Sequence, residues 1–224
     1  MCGRYAFFSA HEAVARLFGI QDPAPIEPRW NIAPTQFVPV VRTGSDGARR
    51  VALLYWGLIP SWAREKSIGA RLINARSETA RDKPAFRAAY RKRRCLLLAS
   101  GYYEWQKTGG AKQPYFIRRV GGDPFGMAGL WESWIERPGE PPLESCTILT
   151  GAAQPALAVI HDRSPVIIPP ESYARWLDPQ LVDADAVDAL VGERHADPLQ
   201  AVAVGRAVNN AKNEGRGLIA PIEV

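Results

Sequence analysis

An α+β fold with a largely antiparallel, barrel-like β-sheet core and flanking helices is predicted from three observations. Runs rich in β-branched and aromatic residues outnumber helical ones, they do not alternate with helices in a βαβ rhythm, and glycine pairs and proline-rich stretches separate them. The chain has 224 residues, 46% of them hydrophobic, enough to bury a substantial core. One domain over residues 2–224 is expected, with Met1 removed.

The elements follow in order. Ser9-Ala10-His11-Glu12 has capping-box spacing, Val14, Leu17 and Phe18 recur at helical spacing, and Gly19 stops the run, so a short amphipathic helix is expected there. Phe37 to Thr43 and Arg50 to Trp56 flank Gly44-Ser45-Asp46-Gly47 and predict a hairpin. Ser77 to Tyr90 is helix-like, with Pro84 starting a second segment or kinking the first. Strands are expected at Cys95 to Ala99, Tyr115 to Arg119, Phe125 to Leu130, Cys146 to Thr150 and Val166 to Ile168, separated by Gly109-Gly110, Gly121-Gly122 and Pro138 to Pro142. Ser172 to Leu177 and Asp183 to Val191 look helical, and Leu199 to Val204 predicts a final strand.

No apolar stretch approaches the ~20 residues that span a bilayer, and the first residues lack the pattern of a signal peptide, so a soluble cytoplasmic protein without membrane contact is expected. The three cysteines, Cys2, Cys95 and Cys146, fit neither a disulfide framework nor a metal site, and Cys95 and Cys146 lie in apolar runs as core residues. Glycine-rich phosphate loops and serine nucleophile elbows are absent, so no metal and no cofactor such as ATP or NAD is expected. The net charge is only +5, but Ser61 to Arg94 holds eleven basic and three acidic residues. That excess reads as a phosphate-binding face, or as a solvated helix with charges guarding an apolar strand.

Cys2 stands directly behind Met1. Removal of Met1 would leave an α-amine and a thiol on one residue, with ordinary pKa values of ~7.7–8.0 and ~8.5, both partly reactive at neutral pH. An aldehyde is the matching electrophile: the amine forms an imine and the thiol closes on its carbon to give a thiazolidine. Four polar groups sit at the margins of apolar segments: Asn74, Glu104, His161 and Asn209. Glu104, between Tyr103 and Trp105, suits proton transfer if desolvated, or a salt bridge to one of many arginines. His161 also reads as a strand-end histidine satisfied by Asp162 or Arg163, and Asn74 as a capping residue. Of seven tryptophans, Trp30, Trp62 and Trp105 lie beside polar or basic residues in loop-like contexts where they could stack on unpaired bases, while Trp56, Trp131 and Trp176 read as core.

Six ordered motifs, Met1-Cys2-Gly3-Arg4, Arg29 to Thr35, Trp56 to Trp62, Ile73 to Thr79, Gly101 to Trp105 and His161 to Pro165, together with Val208-Asn209 and Asn213, resemble the SRAP (SOS-response-associated peptidase) family from residue 2 to about residue 218. The resemblance implies binding of single-stranded DNA and covalent capture of abasic sites through Cys2 as a reversible thiazolidine crosslink. It further implies that Asn74 holds the sugar and the N-terminal residue, Glu104 moves protons and His161 acts on the sugar ring oxygen or hydroxyl. Arg4 and Arg76 would bind phosphates, with Asn31, Pro34, Trp62, Trp105, Thr150 and Asn209 along the DNA path. The expected partner is single-stranded DNA carrying abasic sites, with the replication machinery as a further candidate, and the expected state is a nucleoid-associated monomer. Ser164 and Gly205 depart from the usual family residues without replacing a chemical group, and Ala63 stands where some members place a second tryptophan. Two other functions stay open: an N-terminal-cysteine peptidase or amidohydrolase, and a noncovalent single-strand-binding module whose binding would survive loss of Cys2.

Overall fold

A computed structural model describes residues 2–21, 23, 25–193 and 198–223. Its first half contains β1 (Tyr5–Phe7), α1 (His11–Phe18), β2 (Arg29–Ile32), β3 (Phe37–Thr43), β4 (Arg49–Trp56), β5 (Asn74–Arg76), α2 (Ser77–Ala80), α3 (Arg87–Lys92), β6 (Arg94–Ala99) and β7 (Gly101–Thr108). Its second half contains β8 (Ala111–Arg119), β9 (Phe125–Trp134), β10 (Leu143–Ala152), α4 (Pro155–Ala158), β11 (Arg163–Pro165), β12 (Ile167–Ile168), α5 (Tyr173–Trp176), α6 (Ala184–Gly192) and β13 (Leu199–Ala203).

One sheet closes on itself. Its path runs β10-β4-β3-β6-β9, and β9 pairs back with β10, so the five strands form the barrel the sequence predicts. The pairs are antiparallel except β4 with β10, and β5 lies along the same strand in parallel, with Asn74 opposite Ile148 and Arg76 opposite Thr150. The second sheet, β13-β8-β7-β1-β2, carries the N-terminal strand at its centre-right, between β7 and β2. Cys2, Tyr5, Trp56, Leu96, Tyr102 and Ile148 share one buried core drawn from both sheets. A smaller core of Ala6, Tyr103, Phe116, Val204 and Val208 covers the other face of the second sheet.

β4 and β5 are linked by residues 57–73, a segment that both ends tie to β10. Gly57 donates to the Cys146 carbonyl and Ile148 to that of Ile73. The backbone crosses itself at Gly57, where a Cβ would stand 2.7 Å from the Gly69 oxygen and φ is +141°, so glycine is required on both counts.

Local chemistry corrects several expectations. The helix near residue 11 forms and Gly19 caps it in the left-handed conformation (φ 63°), but the capping box does not. Ala10 is the N-cap, and the Ser9 hydroxyl instead shares a 2.9 Å hydrogen bond with Ser100. The 77–90 region breaks into α2 and α3 around Pro84, because the ring removes an N–H and disfavours helix in the residue before it. Gly109 and Gly110, both at positive φ, form a two-residue hairpin turn rather than a mere separator, and Thr108 pairs with Ala111 across it. Trp105 therefore belongs to β7 and Trp30 to β2, not to loops.

Three cations of the basic run are structural. Arg94 is buried and donates to the carbonyls of Tyr90, Arg91, Trp176 and Asp178, with desolvation lowering its pKa to about 10. Arg93 pairs with Glu132 at 2.7 Å, and Arg81 pairs with Asp185 and Asp188. A continuous phosphate face of eleven cations is not formed. Arg64, Lys66, Arg71, Arg76, Lys83, Arg87, Arg91 and Lys92 stay exposed.

Candidate active site

The chain reaches Cys2 directly before β1, at the point where β5 and β7 also present polar side chains. Asn74, the first residue of β5, donates through Nδ2 to the Cys2 carbonyl at 2.8 Å. The register of β5 on β10 fixes this approach, and strand alternation places Arg76 on the same side as Asn74. Arg76 is exposed there, whereas the neighbouring Thr150 is fully buried.

Glu104 projects from β7 toward the same place. Tyr102 and Glu104 share one face of β7, while Tyr103 and Trp105 share the other. Burial raises the Glu104 carboxyl above its ordinary pKa, and His161 pulls the other way. Burial also pushes the Cys2 thiol well up, with Glu104 adding to the effect and the Arg4 carbonyl contact opposing it. Cys2 is completely buried.

His161 arrives from the segment between α4 and β11. Gln106, on the Glu104 face of β7, holds that segment by donating to the Val159 carbonyl at 3.1 Å. The Arg163 backbone N–H donates to His161 Nδ1 at 3.0 Å, which in the neutral ring leaves the proton on Nε2. Asp162 stands 3.0 Å from the same Nδ1. The Arg163 side chain anchors the turn, gripping Glu78 through both oxygens and the Thr150 carbonyl at 2.5 Å. In the sequence Arg163 stands out only as a partner for His161, and Gln106 is marked by nothing but a polar side chain inside β7.

The structure thus brings Cys2, Asn74, Glu104 and His161 together. The remaining candidates divide. Arg4 donates to Asn31 Oδ1 and to the Val208 carbonyl, both at 2.8 Å. Asn31 spends its amide on the carbonyls of Asn210 and Asn213, and Trp105 Nε1 donates to Asn209 Oδ1 at 2.7 Å. Arg4, Asn31, Trp105 and Asn209 therefore form a second cluster that seats residues 206–213. Asn31 and Thr150, like Cys2, have no exposed surface in this structure. Pro34 lies half-buried in the turn before β3, and Trp62 is 60% exposed on the 57–73 segment. Ala63, beside it, packs on Tyr55, Ile59 and Trp134.

Among the described residues no cluster of histidine, cysteine and acidic side chains could hold a metal, and no helix is long and apolar enough to cross a membrane.

A family model described as SOS response associated peptidase (SRAP) matches residues 1–211. Abasic site processing protein YoqW of Bacillus subtilis (strain 168) is 37% identical, over 98% of this chain and 99% of that protein. Abasic site processing protein YedK of Escherichia coli (strain K12) is 34% identical over 99% of this chain and all of that one. Among solved structures, a protein from Bordetella bronchiseptica superposes with a TM-score of 0.77 at 29% identity, covering 91% of this chain and 100% of that one. A protein from Bacteroides thetaiotaomicron gives a TM-score of 0.86 at 23% identity, covering 99% and 100%, a likeness of fold.

Proposed function

This chain belongs to the SOS response associated peptidase (SRAP) family, and from that premise we propose that it binds single-stranded DNA and captures abasic sites covalently through Cys2. The observation that carries this reading is the convergence on Cys2 of an amide bonded to its carbonyl (Asn74), a buried carboxyl (Glu104) and an imidazole at that carboxyl (His161). The names of the relatives support the choice of substrate.

The reaction starts when Met1 is removed and the Cys2 α-amine is freed. His161 assists opening of the deoxyribose ring to its aldehyde by proton exchange at the ring oxygen or hydroxyl. The amine adds to the aldehyde carbon, and loss of water gives an imine. The Cys2 sulfur then bonds to that carbon while the nitrogen gains a proton, closing the thiazolidine. Glu104 accepts and returns the protons of these steps, a role for which a carboxyl raised by burial is suited. Asn74 holds the Cys2 carbonyl so that the amine and thiol face one carbon.

Arg76, exposed beside Asn74, holds a phosphate next to the lesion, and Arg4 holds another from the second cluster. Trp62 stacks on a base, a contact worth ~1–3 kcal/mol. Trp105 and Asn209 act as a bonded pair at the margin of the path.

The test is a denaturing gel of the protein with a single-stranded oligonucleotide carrying one abasic site, beside an undamaged strand and Cys2→Ala, with Met1 removal established by intact mass. A heat-stable shifted band that needs both the lesion and Cys2 is expected. The same band with Cys2→Ala and no reductant would refute the aminothiol. Hydrolysis of amide substrates without any band would favour the peptidase function.

A further inference from the structure

The outer face of the β3–β4 hairpin leaves two large apolar side chains in the open. Phe37 stands opposite Tyr55 and Pro39 opposite Leu53, so the four share one face of the pair. Val38, Val40, Leu54 and Trp56, which alternate with them, fill the core. Tyr55 and Pro39 are buried, but Phe37 is 53% and Leu53 64% exposed. The Phe37 ring meets Tyr55 edge-on at 6.1 Å, and Lys66 Nζ, itself exposed, stands 4.8 Å from the centre of the same Tyr55 ring. A lone exposed apolar residue is ordinary, whereas an exposed ring and an exposed ammonium fixed on one tyrosine make a surface with a definite chemistry.

This face runs into the site already described. The Thr35 N–H donates to the Trp56 carbonyl at 2.8 Å, the Trp56 N–H donates to the Gln36 carbonyl at 2.9 Å, and Trp56 Nε1 donates to the carbonyl of Ile73, the residue before Asn74. Ala63, next to Trp62, packs in the Tyr55 cluster. The turn that delivers Phe37 is strained, because Thr35 has φ +69°, a conformation costly for a β-branched residue. Gln36 Oε1 accepts from the Ala33 N–H and from Arg29, and Arg29 also donates to the Phe37 carbonyl, so several bonds keep the turn in that shape. Residues 57–73 set Arg64, Lys66 and Arg71 against Glu65 alone, and Glu65 accepts from Ser67. A second copy seated on this face would bring these cations together, which disfavours it. A partner with flat apolar groups alternating with negative charges fits both features, and single-stranded DNA is such a chain.

We propose that Phe37 is a stacking platform for bases of single-stranded DNA beyond those next to the lesion, with Lys66 holding a phosphate of the same stretch. The assignment deepens the reading of this chain as a single-strand-binding protein and rests on it. A base laid on Phe37 covers the ring and the adjoining Leu53 side chain, and the strand leaves the site over the wall of the barrel. No bond forms or breaks at this surface, so it acts on affinity alone, for damaged and undamaged strands alike.

The experiment uses the full-length protein and undamaged oligothymidylate. Fluorescence anisotropy over a range of salt compares wild type with Phe37→Leu, Phe37→Trp and Lys66→Ala. In parallel, strands carrying 5-iododeoxyuridine at successive positions are photocrosslinked to the wild type, and the adducts are mapped by mass spectrometry. Phe37→Leu, which keeps an apolar side chain and removes the ring, should weaken binding roughly tenfold, and Phe37→Trp should restore it. Lys66→Ala should lower the salt slope by about 0.7. A photoadduct on the Phe37–Tyr55 pair is expected from at least one position. Adducts confined to Trp62 and Trp105 overturn the proposal, and so does Phe37→Leu binding as wild type. Unchanged DNA binding with a smaller sedimenting mass for Phe37→Leu than for wild type would overturn it in favour of a second copy. Wild type that binds no oligothymidylate removes the single-strand reading and the platform with it, whereas wild type that binds but forms no heat-stable crosslink with an abasic strand loses the covalent step and keeps the platform.

Discussion

Replacing Asn31 with alanine should loosen the seat of residues 206–213 and cost more stability than its place on a short strand suggests. The Asn31 amide lies 2.9 Å from the Asn213 carbonyl and 3.0 Å from that of Asn210, and its oxygen accepts from the Arg4 guanidinium at 2.8 Å. All of this is sealed from solvent at Asn31 itself. Two neutral bonds at about 1 kcal/mol each and one to a cation at about 2 kcal/mol give a loss of about 4 kcal/mol. Arg4 keeps its bond to the Val208 carbonyl, which prevents a fully stranded charge. For a chain of this length each kcal/mol moves Tm by about 2–4 °C, so a fall of about 8–16 °C is expected in a thermal melt followed by circular dichroism. Asn31→Asp should do no better, because a carboxylate cannot donate to the carbonyls it would face. A loss below about 1 kcal/mol for Asn31→Ala would refute the reasoning, since the turn would then be held without this side chain.

Glu104→Gln should slow reversal of the crosslink by roughly a hundredfold, the usual scale of general acid–base assistance; unchanged release kinetics would end its proton-shuttle role. The same variant should melt higher than wild type at pH 7. A carboxyl raised by burial contributes stability that is fully present below its ordinary pKa and is lost as pH rises through the raised value, so the gap should close toward acid pH, and equal Tm values at pH 7 would contradict this. Arg76→Ala should weaken binding to every single strand and reduce the salt slope by about 0.7, without lowering Tm; an unchanged slope would take Arg76 off the phosphates. Arg94→Ala should do the reverse. With four carbonyls losing their donor, a loss of about 3–5 kcal/mol and no change in salt slope are expected, and a reduced slope would return Arg94 to the binding face.

The sequence predicts the core hairpin, the later strands and the α+β class because those segments bury apolar residues on a regular period. β7 escaped notice because Glu104, Gln106 and Lys107 interrupt that period, and tertiary pairing with β1 and β8 supplies what local preference does not. Ring closure through β9 and β10 joins residues distant in sequence, which no local pattern encodes. The three groups at Cys2, Asn74, Glu104 and His161, were legible as residue types at element margins. What was not legible was burial: Asn31 and Thr150 look like exposed polar residues in the chain, whereas Asn31 bonds to the Asn213 carbonyl and Arg163 to that of Thr150, and neither residue has exposed surface. The same holds for Arg94, one cation among many until the Trp176 and Asp178 carbonyls close over it.

β10 binds β9, β4, β5 and β11, so it is the last piece on which much of the barrel depends. Its consequence is one of timing on the ribosome. Cys2 is synthesised first, but the strand that positions Asn74 appears about seventy residues after β5 itself, and His161 emerges later still. During that interval Cys2 lacks the amide clamp that β5 presents once it is laid along β10, because pairings of such long sequence separation form late. Assembly of the site is therefore coupled to near-completion of the chain, and an unfinished polypeptide carries the nucleophile of the proposed reaction before Asn74 and His161 are in place to direct it.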